Sequence, residues 1–242
     1  MNNKDKHWTS EMLTLFGIWL WEQGEHGHGL LCIHGPQWGY KIGQQLNIVW
    51  DNILGKKDFK WELVLDEADV DPRYISEMAR DYLIKLYEMK MDDVIEGSES
   101  IYLNSRTGKA LNTSSLNREL KRFSEQFLKE LEEKHGWSVN VKPLKSSAFQ
   151  IAWAFKMLEK YHYSKKAFIA VSKFMGHKSL KYTIDLLEIE PFDEIIFDYH
   201  SGNYQSGISS DVLEDSNEIA KIVMTTITDA YSQFKLSINN SS

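Results

Sequence analysis

The sequence predicts a mainly α-helical α+β fold with one small β-hairpin or sheet. Apolar residues recur at helical spacing along most of the chain, whereas a strand-like alternation is confined to a stretch near residues 56–65. The 242 residues are 42% hydrophobic and 12% aromatic, which is enough to build a packed core. Cys32, the single cysteine, lies in an apolar run, and we expect it to be buried and unpaired.

The N-terminal half is predicted to begin with a helix from Trp8 to Gly24. Thr9 or Ser10 can cap this helix, an apolar face follows, and the glycine ends it. The later predicted elements of this half are a Gly- and His-rich turn at 25–29, a helix from Lys41 to Trp50, a strand or short hairpin from Lys56 to Leu65, and a helix from Asp71-Pro72 to about Met91.

The C-terminal half is predicted to be helical after a short extended piece. Its predicted elements are an extended Ile101–Leu103, a turn at Ser105–Lys109, a helix capped by Thr113–Ser115 that runs to about Lys134 and ends near Gly136, and helices at Ser146–Tyr161, Lys166–Met175 and Leu180–Leu187. These boundaries follow from caps, glycines and the period of the apolar residues.

We predict one domain over residues 1–197, a polar linker at 198–210, and a C-terminal helix with a tail at 211–242. An apolar face on the last helix would bury either against its own domain or against another protomer. The residues of that face that we expect to mediate self-association are Ile219, Ile222, Val223, Ile227 and Phe234.

Charge is segregated along the chain. The net charge of −7 argues against a generic nucleic-acid binder. However, the window from Lys142 to Lys181 contains nine lysines and one acid, a net charge of +8, and the segment from Tyr182 to the end carries −9. This pattern predicts two surfaces with different partners, or an acidic tail that shields a basic face.

Several classes of protein are not expected. The chain has no apolar run of about 18 residues and no apolar signal region, so we expect a cytoplasmic protein without a membrane role. His26, His28 and His34 lack the acid–His or Cys–His spacing of a standard metal site, and a solvated turn is the favoured interpretation. No cofactor is expected.

The stretch from Met175 to Leu187 carries a Gly176-His177 pair, a polar turn and Thr183. This pattern resembles the last signature of the tyrosine recombinase (phage integrase) family, in which the nucleophilic tyrosine follows the histidine by nine residues. That position is Leu186, which has no hydroxyl group. Tyr182 comes only five residues after His177, and we expect it elsewhere on the helix.

Three earlier stretches resemble other motifs of the same family, in the family's order. Gly39-Tyr40-Lys41-Ile42 matches the glycine-leucine-arginine-isoleucine stretch, with Lys41 at the first arginine position and Gln44 at the glutamate position. Residues 101–112 resemble the family's phenylalanine-proline-x-x-x-glycine-lysine-proline-leucine segment, which in that family lies close to DNA. Lys142-Pro143-Leu144-Lys145 matches histidine-x-leucine-arginine, with lysines at the histidine and second arginine positions.

The resemblance implies a tyrosine recombinase catalytic-domain-like fold whose catalytic groups have been replaced. In the family, a tyrosine attacks a phosphodiester while arginines, a lysine and histidines stabilise the charge on the phosphate. The resemblance implies that the catalytic machinery is not intact in this chain. The family's catalytic positions are occupied by Lys41, Lys142, Lys145, His177 and Leu186. The residues expected to contact DNA are Lys41, Lys56, Lys57, Arg106, Lys109, Lys142, Lys145, His177 and Lys178.

These replacements lead to three hypotheses. The first is a DNA-binding protein of recombination or integration, descended from a mobile-element integrase, that is unable to cleave. Lysine still attracts a phosphate, but it lacks the planar fork with which arginine engages two oxygens. The second is a protein-interaction or regulatory module on the same scaffold without DNA binding. The third is an active recombinase with a relocated tyrosine.

Overall fold

A computed structural model describes residues 7–56, 58–63, 65, 73–90, 95–136 and 140–189. Lys57, Asp71-Pro72, the predicted linker and the predicted C-terminal helix lie outside the described residues. The described chain forms two units, one from residues 7–47 and 102–189 and the other from residues 48–101. The domain boundaries and the self-association expected from the sequence therefore stay predictions.

The described elements confirm a mainly helical fold with a small antiparallel sheet. In chain order they are α1 (Ser10–Glu22), α2 (His26–Trp38), α3 (Ile42–Leu46), α4 (Trp50–Ile53), β1 (Glu62–Leu63), β2 (Arg73–Tyr74), α5 (Glu77–Met89), α6 (Thr113–His135), α7 (Ser147–Lys160), α8 (Lys165–Phe174) and α9 (Leu180–Leu187). Among these elements, no helix combines the length and apolar composition that crossing a membrane requires.

Local capping sets several helix boundaries as the sequence predicts. The hydroxyl of Thr9 accepts a hydrogen bond from the backbone N–H of Met12, which starts α1. Helix α6 ends at Gly136, whose φ of 67° is the left-handed conformation common after a helix. The cap at the start of α6 is Asn112, one residue before the predicted Thr113–Ser115, because its side chain accepts from two backbone N–H groups.

The predicted turn at residues 25–29 is wrong, because this stretch is the beginning of α2. Its glycines serve close helix packing and are buried. A Cβ atom on Gly29 would lie 2.7 Å from the carbonyl oxygen of Gly17 in α1, a distance that no side chain could tolerate. Glycine is therefore required here by the approach of α1 to α2.

Two other predicted helices differ from the structure. The helix predicted from Lys41 to Trp50 is divided into α3 and α4, because Asn47 ends α3 and Val49 is extended. The helix predicted to start at Asp71-Pro72 begins later, at Glu77, where the Ser76 hydroxyl caps the N-terminus of α5. The intervening residues 73–74 form β2 instead.

The first unit packs its helices around a large aromatic and aliphatic core. Helix α2 lies against α1, α3 and α7, and α9 lies against α7 and α8. Phe16, Trp38 and Phe149 are fully buried in this core, as is Cys32, which confirms its predicted burial. Since α7, α8 and α9 pack together, the loops that join them are held in place.

The second unit contains the small sheet. β1 pairs with β2 antiparallel, with Glu62 opposite Tyr74 and Leu63 opposite Arg73. An isolated bridge joins Leu54 and Phe59 before the sheet, so the predicted β element at 56–65 is confirmed as a short irregular strand region.

Candidate functional site

The Gly176-His177 pair lies in the turn between α8 and α9. Gly176 has a φ of 65°, and its N–H donates to the carbonyl of Lys173, while the N–H of His177 donates to the carbonyl of Ser172. These bonds satisfy carbonyl groups at the end of α8, and the left-handed conformation favours glycine at this point. The turn thereby fixes where the side chain of His177 begins.

Lys41 and the Gly176-His177 turn come together in the first unit. Lys41 is the residue immediately before α3, and its N–H donates to the side-chain oxygen of Gln44 at 3.1 Å. Its ammonium group lies 3.3 Å from the position that a Cβ atom on Gly176 would take. The first arginine position and the histidine position of the resemblance are thus neighbours, although they are far apart in the sequence.

Thr183 contacts the imidazole ring of His177. The hydroxyl of this buried threonine in α9 lies 2.9 Å from His177 Nδ1, within hydrogen-bonding distance. Burial lowers the pKa of His177 below its ordinary value, and the positive charge of Lys41 lowers it further. Both effects favour the neutral form of His177, and one of its ring nitrogens lies within hydrogen-bonding distance of Thr183.

Helix α9 carries Leu186 and Tyr182 one turn apart. Residues four positions apart lie on the same side of a helix, so the expectation that Tyr182 lies elsewhere on α9 is wrong. Leu186 is half-buried, and Tyr182 is 64% exposed. The side of α9 that contains position 186 therefore presents a leucine and, one turn earlier, an exposed phenol.

Lys142, at the first histidine position, forms an ion pair with Glu188, the residue that ends α9. The backbone of Lys142 is anchored, because the indole N–H of Trp8 donates to its carbonyl at 2.9 Å. His7 lies near both charges. Burial and then Lys142 lower the pKa of His7, and Glu188 opposes them.

The other predicted DNA contacts are exposed and lie on three loops of the first unit. Arg106 and Lys109 belong to a turn in which the Asn104 side chain accepts from the N–H groups of residues 106 and 107. Lys145 precedes α7, and Lys178 follows His177. Lys56 is exposed in the second unit. Contact of any of these residues with DNA stays a prediction.

The three histidines near the N-terminus are not a solvated turn, which corrects that interpretation. His28 is buried in α2, where its two ring nitrogens lie 3.3 Å from a Glu25 oxygen and 3.0 Å from a Glu119 oxygen. His34 is also buried, with Nδ1 3.1 Å from the Tyr102 hydroxyl. Within the described ranges, no three His, Cys, Asp or Glu side chains are grouped as a metal site requires.

Sequence reasoning missed Glu188 and His7 as neighbours of the candidate site. Both are single polar residues outside the matched motifs, so no local pattern identifies them. For Glu188 the signal was its place just after the predicted end of α9, opposite in charge to the preceding basic window. For Thr183, the motif match predicted its presence but not its bond to His177.

Of the comparisons with known proteins, only the one with solved structures finds a similarity. No family model matches the chain, and no curated protein matches it. The crystal structure of XerA recombinase is similar, with a TM-score of 0.50 and 9% sequence identity over 80% of this chain. The match covers 61% of the XerA chain, so this chain spans about three fifths of the length of that protein. At this identity, the similarity shows a recombinase-like fold alone.

Proposed function

We propose that the protein binds double-stranded DNA through backbone phosphates and does not cleave it. The cations that carry the binding are Lys41, Lys142 and Lys145, supported by the exposed Arg106, Lys109 and Lys178 of the same unit. The activity belongs to recombination or integration of DNA, as the recombinase-like fold and the resemblance of the motifs suggest.

The observation that carries this proposal is the convergence of Lys41 with the Gly176-His177 turn. Chance placement of lysines would leave the residues of two distant motifs apart. Instead, the Lys41 ammonium group lies close to the turn and lowers the pKa of His177. Among the described residues, no carboxylate lies within ion-pairing distance of Lys41 Nζ, so this cation can attract a phosphate.

The replaced groups explain why binding and cleavage separate. Leucine at position 186 cannot attack phosphorus, because its side chain has no nucleophilic atom. Lysines at positions 41 and 145 supply charge as single ammonium groups and cannot form the two parallel hydrogen bonds of a guanidinium. Such a site favours the ground state of a bound phosphodiester over the transition state of its cleavage.

The test is DNA binding as a function of salt. Fluorescence anisotropy with duplex DNA from about 50 to about 200 mM salt should show a steep loss of affinity for the wild-type protein. Lys41→Gln should weaken binding and reduce the slope of log K against log salt by about one. Lys129→Gln in α6 is the matched control, because Lys129 is exposed and pairs only weakly with Glu133 at 3.4 Å.

Two results would contradict the proposal. If the wild-type protein fails to bind duplex DNA at low salt, the lysines do not form a binding site for DNA phosphates. If Lys41→Gln and Lys129→Gln weaken binding equally, the attraction is a general effect of net charge and not of the Lys41 site.

The second candidate is a protein-interaction module without DNA binding. The net charge of −7 and the pairing of Lys142 with Glu188 favour it, since both reduce the attraction of the chain for polyanions. The salt series separates the two candidates, because this module would show no DNA binding in any variant.

A further inference from the structure

The ion pair between Lys142 and Glu188 joins a basic segment of the first unit to an acidic one. Lys142 begins the basic window of the sequence, and Glu188 belongs to the acidic segment that follows it. The carboxylate of Glu188 contacts the ammonium group of Lys142 directly. A carboxylate thus occupies one of the hydrogen-bonding positions of the Lys142 ammonium group.

The backbone fixes Glu188 in this position. Its φ of 51° is left-handed, which is unfavourable for a residue with a side chain and is usually left to glycine or asparagine after a helix. The N–H of Glu188 donates to the carbonyl of Asp185, and the N–H of Ile189 donates to the carbonyl of Ile184. The end of α9 therefore fixes the backbone of Glu188, from which its side chain reaches Lys142.

The pair is also open to solvent. The Lys142 and Glu188 side chains are 44% and 47% exposed. Ion pairs with this exposure are weak and screened by salt, so another anion can replace the carboxylate. The same exposure gives an incoming phosphate direct access to Lys142.

From these contacts we propose that Glu188 is an internal competitor for the DNA phosphate that Lys142 would bind. This inference rests on the proposed function and adds regulation to it. In the free protein, Glu188 neutralises Lys142. On binding, a backbone phosphate takes its place, and the carboxylate turns to solvent. The site therefore binds DNA more weakly than it would without the carboxylate of Glu188.

The experiment compares four proteins by DNA-binding anisotropy at fixed low salt: wild type, Glu188→Gln, Lys142→Gln and the double variant. Glu188→Gln should tighten binding about two- to fivefold, the range expected for an exposed ion pair. Lys142→Gln should weaken binding. In the double variant, the gain from Glu188→Gln should disappear, because the lysine that it released is absent.

Glu132→Gln is the matched control for net charge, since Glu132 is an exposed acid in α6. If Glu132→Gln tightens binding as much as Glu188→Gln, or if the gain persists in the double variant, the competition is overturned while the proposed function stands. If none of the proteins binds DNA, the proposed function itself fails, and this inference fails with it.

A measurement without DNA tests the ion pair itself. Glu188 raises the pKa of His7, in opposition to burial and Lys142. In Glu188→Gln, the pKa of His7 followed by NMR should therefore fall relative to the wild-type protein. An unchanged pKa of His7 would mean that the carboxylate does not lie beside Lys142 and His7 in solution, which overturns the inference even if DNA binds.

Discussion

The ammonium group of Lys41 lies against the backbone of Gly176, at 3.3 Å from where a Cβ atom on that glycine would be. Two constraints therefore meet at Gly176. Its backbone needs the left-handed region, and its missing side chain leaves room for Lys41 next to His177. The glycine serves both the end of α8 and the arrangement of the candidate site.

Gly176→Ala should separate these two roles. The substitution should lower the free energy of unfolding by about 1 kcal/mol, because alanine is disfavoured at positive φ. It should also shift the Lys41 ammonium group slightly, because the added Cβ would lie 3.3 Å from it, and DNA binding should weaken by a small amount. Thermal unfolding should show a decrease in Tm of about 2–4 °C. Gly136→Ala is the control, since Gly136 has a φ of 67° and nothing within 4 Å of its would-be Cβ. Equal DNA binding by the two variants would contradict the placement of the Lys41 ammonium group against Gly176.

Thr183→Val should loosen His177 without creating a cavity. Valine has nearly the shape of threonine, but it leaves His177 Nδ1 without the hydroxyl that lies 2.9 Å away. We expect a loss of about 1 kcal/mol in unfolding free energy and a changed ring orientation of His177, which NMR of the imidazole would detect. Thr14→Val is the control, because it removes a hydroxyl that donates to the carbonyl of Ser10 within α1. The interpretation fails if Thr183→Val leaves the His177 signals unchanged, or if Thr14→Val alters them equally.

Stability should decrease as the pH falls below about 6.5. Burial is the largest cause that lowers the folded-state pKa of His7, His26 and His177. The unfolded chain therefore binds protons before the folded chain, and the free energy of unfolding is highest above this pH. Urea denaturation at a series of pH values would measure the free energy of unfolding. In His177→Gln, this free energy should decrease less on acidification than in the wild-type protein. A stability that rises on acidification from neutral pH would contradict the prediction.

Close packing of α1 on α2 should make Gly29 intolerant of substitution. A Cβ at Gly29 meets the Gly17 carbonyl oxygen at 2.7 Å, so Gly29→Ala must push the helices apart, at a cost of about 1–3 kcal/mol. Gly43→Ala in α3 meets nothing within 4 Å and should stabilise the protein by about 0.5–1 kcal/mol through helix propensity. Denaturant unfolding of both variants checks this contrast, and a tolerated Gly29→Ala would show that the two helices pack less closely.

The wild-type protein should form no covalent adduct with a nicked DNA substrate. The reason is that Leu186 has no nucleophilic atom. The variant Leu186→Tyr supplies a phenol at this position, but it should still form no adduct, because lysines and not arginines stand at positions 41 and 145. Denaturing gel electrophoresis would reveal a trapped protein–DNA species, with an active tyrosine recombinase as the positive control. An adduct from the wild-type protein that disappears in Tyr182→Phe would instead establish the third hypothesis, an active enzyme with a relocated tyrosine.

Local signals in the sequence predicted much of the helical framework. Helix α9 begins and ends where the sequence placed it, and α1 follows its Thr9 cap, because caps and apolar periodicity act within a few residues. The same reasoning failed at residues 25–29. Glycine favours a turn in isolation, and only the approach of α1 made a glycine-containing helix the better solution.

The amino-acid sequence was sufficient to predict the mainly helical fold and to show which residues stand at the positions that resemble the recombinase motifs, including a leucine at position 186. The tertiary structure alone decided which of those residues meet. The packing of the first unit set Lys41 beside Gly176, Thr183 beside His177, and Glu188 beside Lys142. Contacts between distant residues depend on how complete helices pack, and no local pattern in the chain encodes them.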